Sequence, residues 1–568
     1  MRSPVSTRGS KTLSWVLFLF LGILGIWHFH DSEFLSNFQV VPGGRGDNRL
    51  VCALLEYTHH AFLGAGHYFS PAFYFPSDRT LGYSDAYLAH AVLFHFLRAM
   101  KLDLFTSYQI CVLVFNILNY LFCFLMLRKG FNFGWAASSV GAFLFAFNAP
   151  KFNQISHTQL QFLCCLPLAV WALAEWVKGA GKMGQVKAFW LLSAAGLCLN
   201  LQLMTAFYPA WFFLFWMSLF FLLSLCLKST RQYLAGLLKS YWQALTGAAI
   251  VFLAGLIPFL WLYLPVARDL GGKDYSEVKM MIPTLGSFLW MGPGHKVWGR
   301  LWDQWSVFQS FPIENEARMG FGLALSAIIL VAAFAALWIV KDLKNKKKNR
   351  FLKTVYDEAG ENKTLFMVLT TVTTVLFCVI ACQYPGDFSP WRWVFDLVPG
   401  AQSVRAVSRY AIFLALPLSI LLAFILDGLL KHAGRSAPVK KKAVLYGLTI
   451  FAAGFIVLEQ TALPSWNGFE KTKELYRLEY LSEKLYLNCP MFYVTVDPRV
   501  PYNATDIQLD AMLISAGTGI PTFNGYSGAS PRDWWLYRVR SPKYGQYVKN
   551  WMDLHQIQQP ACELHIDQ

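Results

Sequence analysis

Apolar residues run along this chain in long blocks separated by short polar links, with neither the two-residue alternation of a half-buried strand nor the narrow stripe of a surface helix. A helix needs roughly 17 to 25 such residues to cross a hydrocarbon core of about 30 Å. The pattern predicts eleven membrane spans, near 12–29, 105–127, 134–149, 157–177, 188–205, 208–227, 243–265, 321–340, 364–382, 409–430 and 444–461. Arg2, Arg8 and Lys11 precede the first block and no small-residue cleavage site follows it, so it reads as a retained anchor and not as a signal peptide. Three longer segments, 30–104, 266–320 and the tail from 462, are richer in polar groups. In the tail, 491–496 reads as a buried strand, and 507–515 and 544–556 as helices. The expected fold class is an all-α polytopic membrane domain over 1–461 followed by a small α/β domain over 462–568.

Composition excludes the soluble alternatives. Only 14% of the 568 residues are charged, against about 25% in a soluble domain, while 55% are hydrophobic and 17% aromatic. The net charge of +16 suggests nucleic acid until it is mapped onto the spans. Arg128, Lys129, Lys178, Lys182, Lys187, Lys228, Arg231, Lys239 and the runs 341–363 and 431–442 all fall in alternate short links, the mark of a cytoplasmic face. Nucleic acid therefore drops out as a partner. The N-terminus is expected in the cytoplasm of an inner-membrane protein, with the C-terminus and the three long segments outside. No Walker-type or Rossmann glycine pattern is present, which argues against ATP-driven transport within this chain. No Cys or His spacing marks a zinc site. Cys489 and Cys562 lie outside the membrane, where an oxidising compartment would allow a disulfide between them.

Candidate chemistry gathers in the first outer segment. The run Pro42-Gly43-Gly44-Arg45-Gly46 allows a tight turn and brings Asp47 to the start of a helix expected over 50–63. Asp47 has two readings: an N-cap of that helix, or a general base for a hydroxyl nucleophile at the membrane boundary. The polar series Glu56, His59, His60, Asp78, Arg79, Ser84 and Asp85 favours the second reading. Glu56 and His60 stand four apart, so a local pair is the alternative to a functional role. Arg405 and Arg409 also stand four apart, where the chain re-enters the membrane from outside. They suit a lipid phosphate, with snorkelling to ordinary headgroups as the alternative. His157 and Gln159 follow the short link 150–156 and read either as solvated helix-end groups or as contacts to phosphate or sugar. Trp290, Trp298, Trp302 and Trp305 read as interfacial anchors, with sugar stacking as the alternative.

In order and topology these motifs resemble the GT-C class of integral-membrane glycosyltransferases, and within it a set of bacterial members. The first-loop pattern is Gly46-Asp47-Asn48-Arg49, Leu55-Glu56, Tyr74-Phe75-Pro76 and Tyr83-Ser84-Asp85. It continues as His157-Thr158-Gln159, as Val404 to Arg409, and as Asn524-Gly525-Tyr526-Ser527-Gly528. The resemblance implies a sugar donor carried on a polyprenyl phosphate, membrane lipids around the site, and an envelope glycan, lipid or protein as acceptor. It implies Asp47 as base, with Glu56 or Asp85 as the second acidic residue. Arg405, Arg409, His157 and Arg79 would then serve the donor phosphate, and His60, Gln159 and Tyr526 the acceptor or sugar. A divalent metal stays open, because the chain lacks the clean Asp-x-Asp of well-known members. The rival reading is a multi-pass transporter or flippase. Against it, the spans carry almost no ionisable residue near their middles and show no internal repeat.

Overall fold

The computed structural model describes residues 8–305, 311–345, 361–435, 439–485, 488–497, 499, 501 and 503–567; the Lys346-Lys347-Lys348 run lies outside them. In chain order the first outer segment follows α1 (Arg8–Leu35) and contains β1 (Val40–Pro42), α2 (Asp47–Phe62) and α3 (Leu88–Ala99). The membrane helices continue as α4 (Leu104–Leu125), α5 (Trp135–Ala146), α6 (Cys165–Lys178), α7 (Gln185–Thr205), α8 (Phe207–Leu225) and α9 (Lys228–Leu270). After the second outer segment come α10 (Leu323–Asn345), α11 (Glu361–Ile380), α12 (Tyr410–Arg435) and α13 (Val439–Thr461). The tail holds β2 (Gly468–Glu470), α14 (Lys471–Glu483), β3 (Phe492–Val496), α15 (Ala504–Thr518), α16 (Tyr544–Leu554) and β4 (Cys562–Ile566).

Each of the eleven apolar blocks forms helix, and among the described residues nine helices are long and apolar enough to cross a membrane. The block 134–149 departs from expectation. Its helix α5 has 12 residues, about 18 Å at 1.5 Å per residue, and the chain then turns into a second short helix at Ala149–Asn153. The shortness is tolerated because α5 is wrapped by α1, α4 and α12. Helix α9 is 43 residues long with a break at Tyr241, so the basic link ahead of the expected span is helical too. The centre of the bundle is α12, buried from Tyr410 to Leu416 without interruption.

A second apolar core is shared by two stretches far apart in sequence. Leu50, Val51 and Leu54 of α2, with Phe73 and Tyr74, pack with Leu481, Phe492, Ile507, Met512, Trp551 and Leu564 of the tail. Antiparallel pairing of β1 with β2, Val40 opposite Glu470, ties the same two stretches by backbone. Strands β3 and β4 pair in parallel, Phe492 opposite Cys562 and Val496 opposite Ile566, beside a Cys489–Cys562 disulfide. The tryptophans of the second outer segment differ from expectation: Trp290 and Trp302 are buried, and the indole N–H groups of Trp290 and Trp298 donate to Glu314 and Glu459. They are packing residues, and only Trp305 is half exposed.

Candidate active site

Asp47 sits where three constraints meet. Gly43 turns the chain with φ +93°, and a Cβ there would lie 2.4 Å from Ser156 Oγ, which itself accepts the Gly44 N–H. Asn48 Nδ2 donates to the Pro42 carbonyl at 2.6 Å, while its Oδ1 accepts from Tyr108. The same Tyr108 hydroxyl reaches Thr158 Oγ1 at 2.7 Å, joining the start of α2 to the link that carries His157. Arg49 is fully buried, with Nε 2.7 Å from Glu474 and Nη2 bonded to Asp510. Arg477 adds a two-pronged bond to Asp510, and Arg45 one to Glu474. The Gly-Asp-x-Arg motif therefore turns Asp47 toward His157 while Arg49 grips the tail.

The N-cap reading of Asp47 is corrected. Gly46 is the cap, Asp47 is the first helical residue, and no side-chain cap bond forms. Its Oδ2 lies 3.1 Å from His157 Nε2. Burial pushes the carboxyl up, but the His157 contact and the charges of Arg409 and Arg405 outweigh it, so Asp47 titrates below its ordinary value. His157 Nε2 is in turn 2.7 Å from Arg409 Nη2, and Arg409 holds Glu316 through Nε and Nη2 at 2.6 to 3.2 Å. Ser408 Oγ adds a bond to Glu316. Burial raises the Glu316 carboxyl and Arg409 more than reverses this, leaving it below its usual range.

Arg405 and Arg409 do not share a helical face. Residues 407–409 form a tight 3₁₀ turn and α12 begins only at Tyr410. The Tyr208 hydroxyl accepts the Arg405 backbone N–H at 2.9 Å, fixing this bend. Among the described residues no hydrogen bond or ion pair engages the guanidinium of Arg405, and its charge reaches Asp47, Lys273 and Tyr526. Lys273 donates from Nζ to the Gly528 carbonyl at 2.9 Å; burial and then Arg405 lower its pKa. The loop Asn524 to Gly528 leans over this place: a Cβ on Gly525 would lie 2.4 Å from the Tyr74 ring, and Ser527 donates to Tyr83. It carries Tyr526 to within the field of Asp47.

Asp85 stands at the start of α8, where its Oδ1 accepts the Phe207 N–H at 2.8 Å. Burial pushes it up to about 6, with that N–H and Arg409 pulling the other way. Gln159 is reached through Tyr87, whose hydroxyl donates to Oε1 at 3.1 Å. The fold thus brings together Asp47, Asp85, His157, Gln159, Arg405, Arg409 and Tyr526. Three of the proposed residues lie elsewhere. Glu56, two and a half turns along α2, is taken by both arms of Arg98 at 2.7 and 2.9 Å, and His60 stands 3.8 Å from it at the same end. Arg79 places its guanidinium 4.7 Å over the Trp261 ring. Sequence reasoning missed Glu316, Lys273 and Tyr208. The dense Glu314-Asn315-Glu316-Ala317-Arg318 stretch just ahead of a span was the one signal for Glu316.

No protein-family model matches the chain, and no curated protein matches it in sequence. Solved structures do. The apo oligosaccharyltransferase of Archaeoglobus fulgidus superposes with a TM-score of 0.52 at 12% identity, covering 96% of this chain and 69% of that one. The chain has the GT-C fold. ArnT from Cupriavidus metallidurans, bound to undecaprenyl phosphate, is similar at 11% identity and a TM-score of 0.35 over 98% of this chain and 93% of that one.

Proposed function

We propose that this chain is a membrane glycosyltransferase that moves a sugar from a polyprenyl-phosphate donor to an acceptor hydroxyl outside the cytoplasm. The observation that carries the reading is the juxtaposition of the Asp47 carboxylate with the Arg405–Lys273 pair, two cations whose heads meet no carboxylate at ion-pair distance among the described residues. A lipid phosphate answers that pair: Arg405 can donate two parallel bonds and Lys273 a point charge. Asp47 then takes the proton of the acceptor hydroxyl as its oxygen bonds to the anomeric carbon and the bond from that carbon to the phosphate oxygen breaks. Arg405 and Lys273 stabilise the released phosphate. Tyr526 and Gln159 flank the acceptor side. The Cys489–Cys562 disulfide supports a location outside the cytoplasm for the tail.

Cells lacking the protein should accumulate a polyprenyl-phosphate sugar in their lipid extracts. Wild-type protein should clear it, whereas Asp47→Asn should insert normally and transfer at least about a hundredfold more slowly. Unchanged glycolipids accompanied by lost solute uptake would replace this reading with the transporter.

A further inference from the structure

Asp47, His157 and Glu316 are the kinds of side chain that ligate a divalent cation, and Arg409 stands among them. Its Nε and Nη2 grip both oxygens of Glu316, and Nη2 stands 2.7 Å from His157 Nε2. A guanidinium only donates. If it donates to Nε2, the lone pair a metal would need there is taken. If Nε2 instead carries a proton toward Asp47 Oδ2, 3.1 Å away, it has no lone pair to give. Either tautomer closes this nitrogen to a metal. Glu316 is equally committed, since Oε2 also receives the Ser408 hydroxyl.

The pair is not a loose surface contact that an ion could displace. The side chains of Arg409 and Glu316 are only 11% and 10% exposed, and separating them would leave two uncompensated buried charges. Around them the carboxylates of Asp47, Asp85 and Glu316 all feel the charge of Arg409, so this one guanidinium offsets the acidic groups from within the chain. Among the described residues no group of three His, Cys, Asp or Glu side chains is placed to hold a metal ion. The residues present do not fit a divalent cofactor.

We propose that Arg409 is the resident cation of this site, holding between Asp47 and Glu316 the positive charge a divalent ion would otherwise supply, and that the reaction runs without a divalent metal. The proposal deepens the transferase reading and rests on it for the reaction. Its structural part can be tested alone, by titrating Mn2+ into the purified protein in zwitterionic lipid discs and following free Mn2+ by electron paramagnetic resonance against empty discs. Wild type should bind none above the blank, and its transfer should be undiminished in EDTA. Arg409→Ala frees the three donors and should gain Mn2+ binding, while Arg409→Lys, which keeps a charge beside Glu316, should not. Saturable binding to wild type that Asp47→Asn abolishes, or transfer lost in EDTA and restored by Mn2+, would overturn the proposal; so would a folded Arg409→Ala that stays blank. If Arg409→Ala does not fold, the wild-type measurements still decide. A wild type that binds no Mn2+ yet transfers no sugar from any lipid donor would reject the transferase and leave the assignment of the guanidinium standing.

Discussion

Asp47 and Asp85 lie in one site but answer to different surroundings. Cations and His157 hold Asp47 low, whereas burial pushes Asp85 up to about 6. An acid with a folded pKa above its unfolded value near 3.9 keeps its proton longer in the folded protein, so folding loses stability as pH rises from about 4 through about 6. Asparagine can still accept the Phe207 N–H and does not ionise. Asp85→Asn should therefore gain on wild type, by on the order of 2 kcal/mol between pH 4 and 7, in thermal unfolding scans of the detergent-solubilised protein. A difference in Tm that stays flat across that range would show that Asp85 is not desolvated. The residues that were legible in the sequence announce themselves locally: Asp47 follows a glycine run, and Arg405 and Arg409 stand at a membrane entry. Lys273 and Glu316 were not legible, because what gives them meaning is contact across 255 residues to Gly528 and across 93 to Arg409.

At the scale of elements, the hydrocarbon core makes the spans readable, since a lipid-crossing segment has to satisfy its own backbone and therefore forms helix. The same rule misleads at 134–149, where an apolar block is a short helix sheathed by protein, and at Arg405 to Arg409, where a four-residue spacing falls in a bend. Helix α2 shows what the apolar pattern omits. Its C-terminal half is fixed by Glu56 and Arg98, and its start by Arg49 against Glu474 and Asp510. Removing one partner from a buried ion network costs about 3 to 5 kcal/mol. Arg49→Met should lower the unfolding temperature accordingly and open the tail to limited proteolysis. An unchanged digestion pattern would mean the apolar core alone docks the tail.

For the whole molecule, everything assigned to the site lies on one side of the bundle, opposite the basic links. Single cysteines placed at Lys182, in the link between α6 and α7, and at Lys473, exposed on α14, should react with an impermeant maleimide from opposite faces of the membrane. Lys182 should be protected in intact cells and Lys473 labelled. Lys182 labelled with Lys473 protected would reverse the orientation, and labelling of both from one face would break the span count between them. The GT-C architecture was legible from motif order and charge asymmetry together. The union of the first outer segment with the tail was not, because β1 and β2 are three residues each and pair across about 430 residues, and the faces of α2 and α15 that meet are as distant in sequence.

That shared outer core also fixes an order of events during synthesis. The apolar face of α2 leaves the ribosome roughly 430 to 500 residues before Leu478, Phe492 and Trp551 arrive to cover it, which at about 5 to 20 residues per second is a wait of roughly 20 to 100 s. Throughout that interval Arg49 has no Asp510 to hold, and the turn that aims Asp47 is held by Ser156, Asn48 and Tyr108 without β2 beside β1. On the transferase reading, a chain released early would be threaded through the membrane without a finished site and would consume no lipid-linked sugar, so the last stretch to be translated would act as the release check on the first.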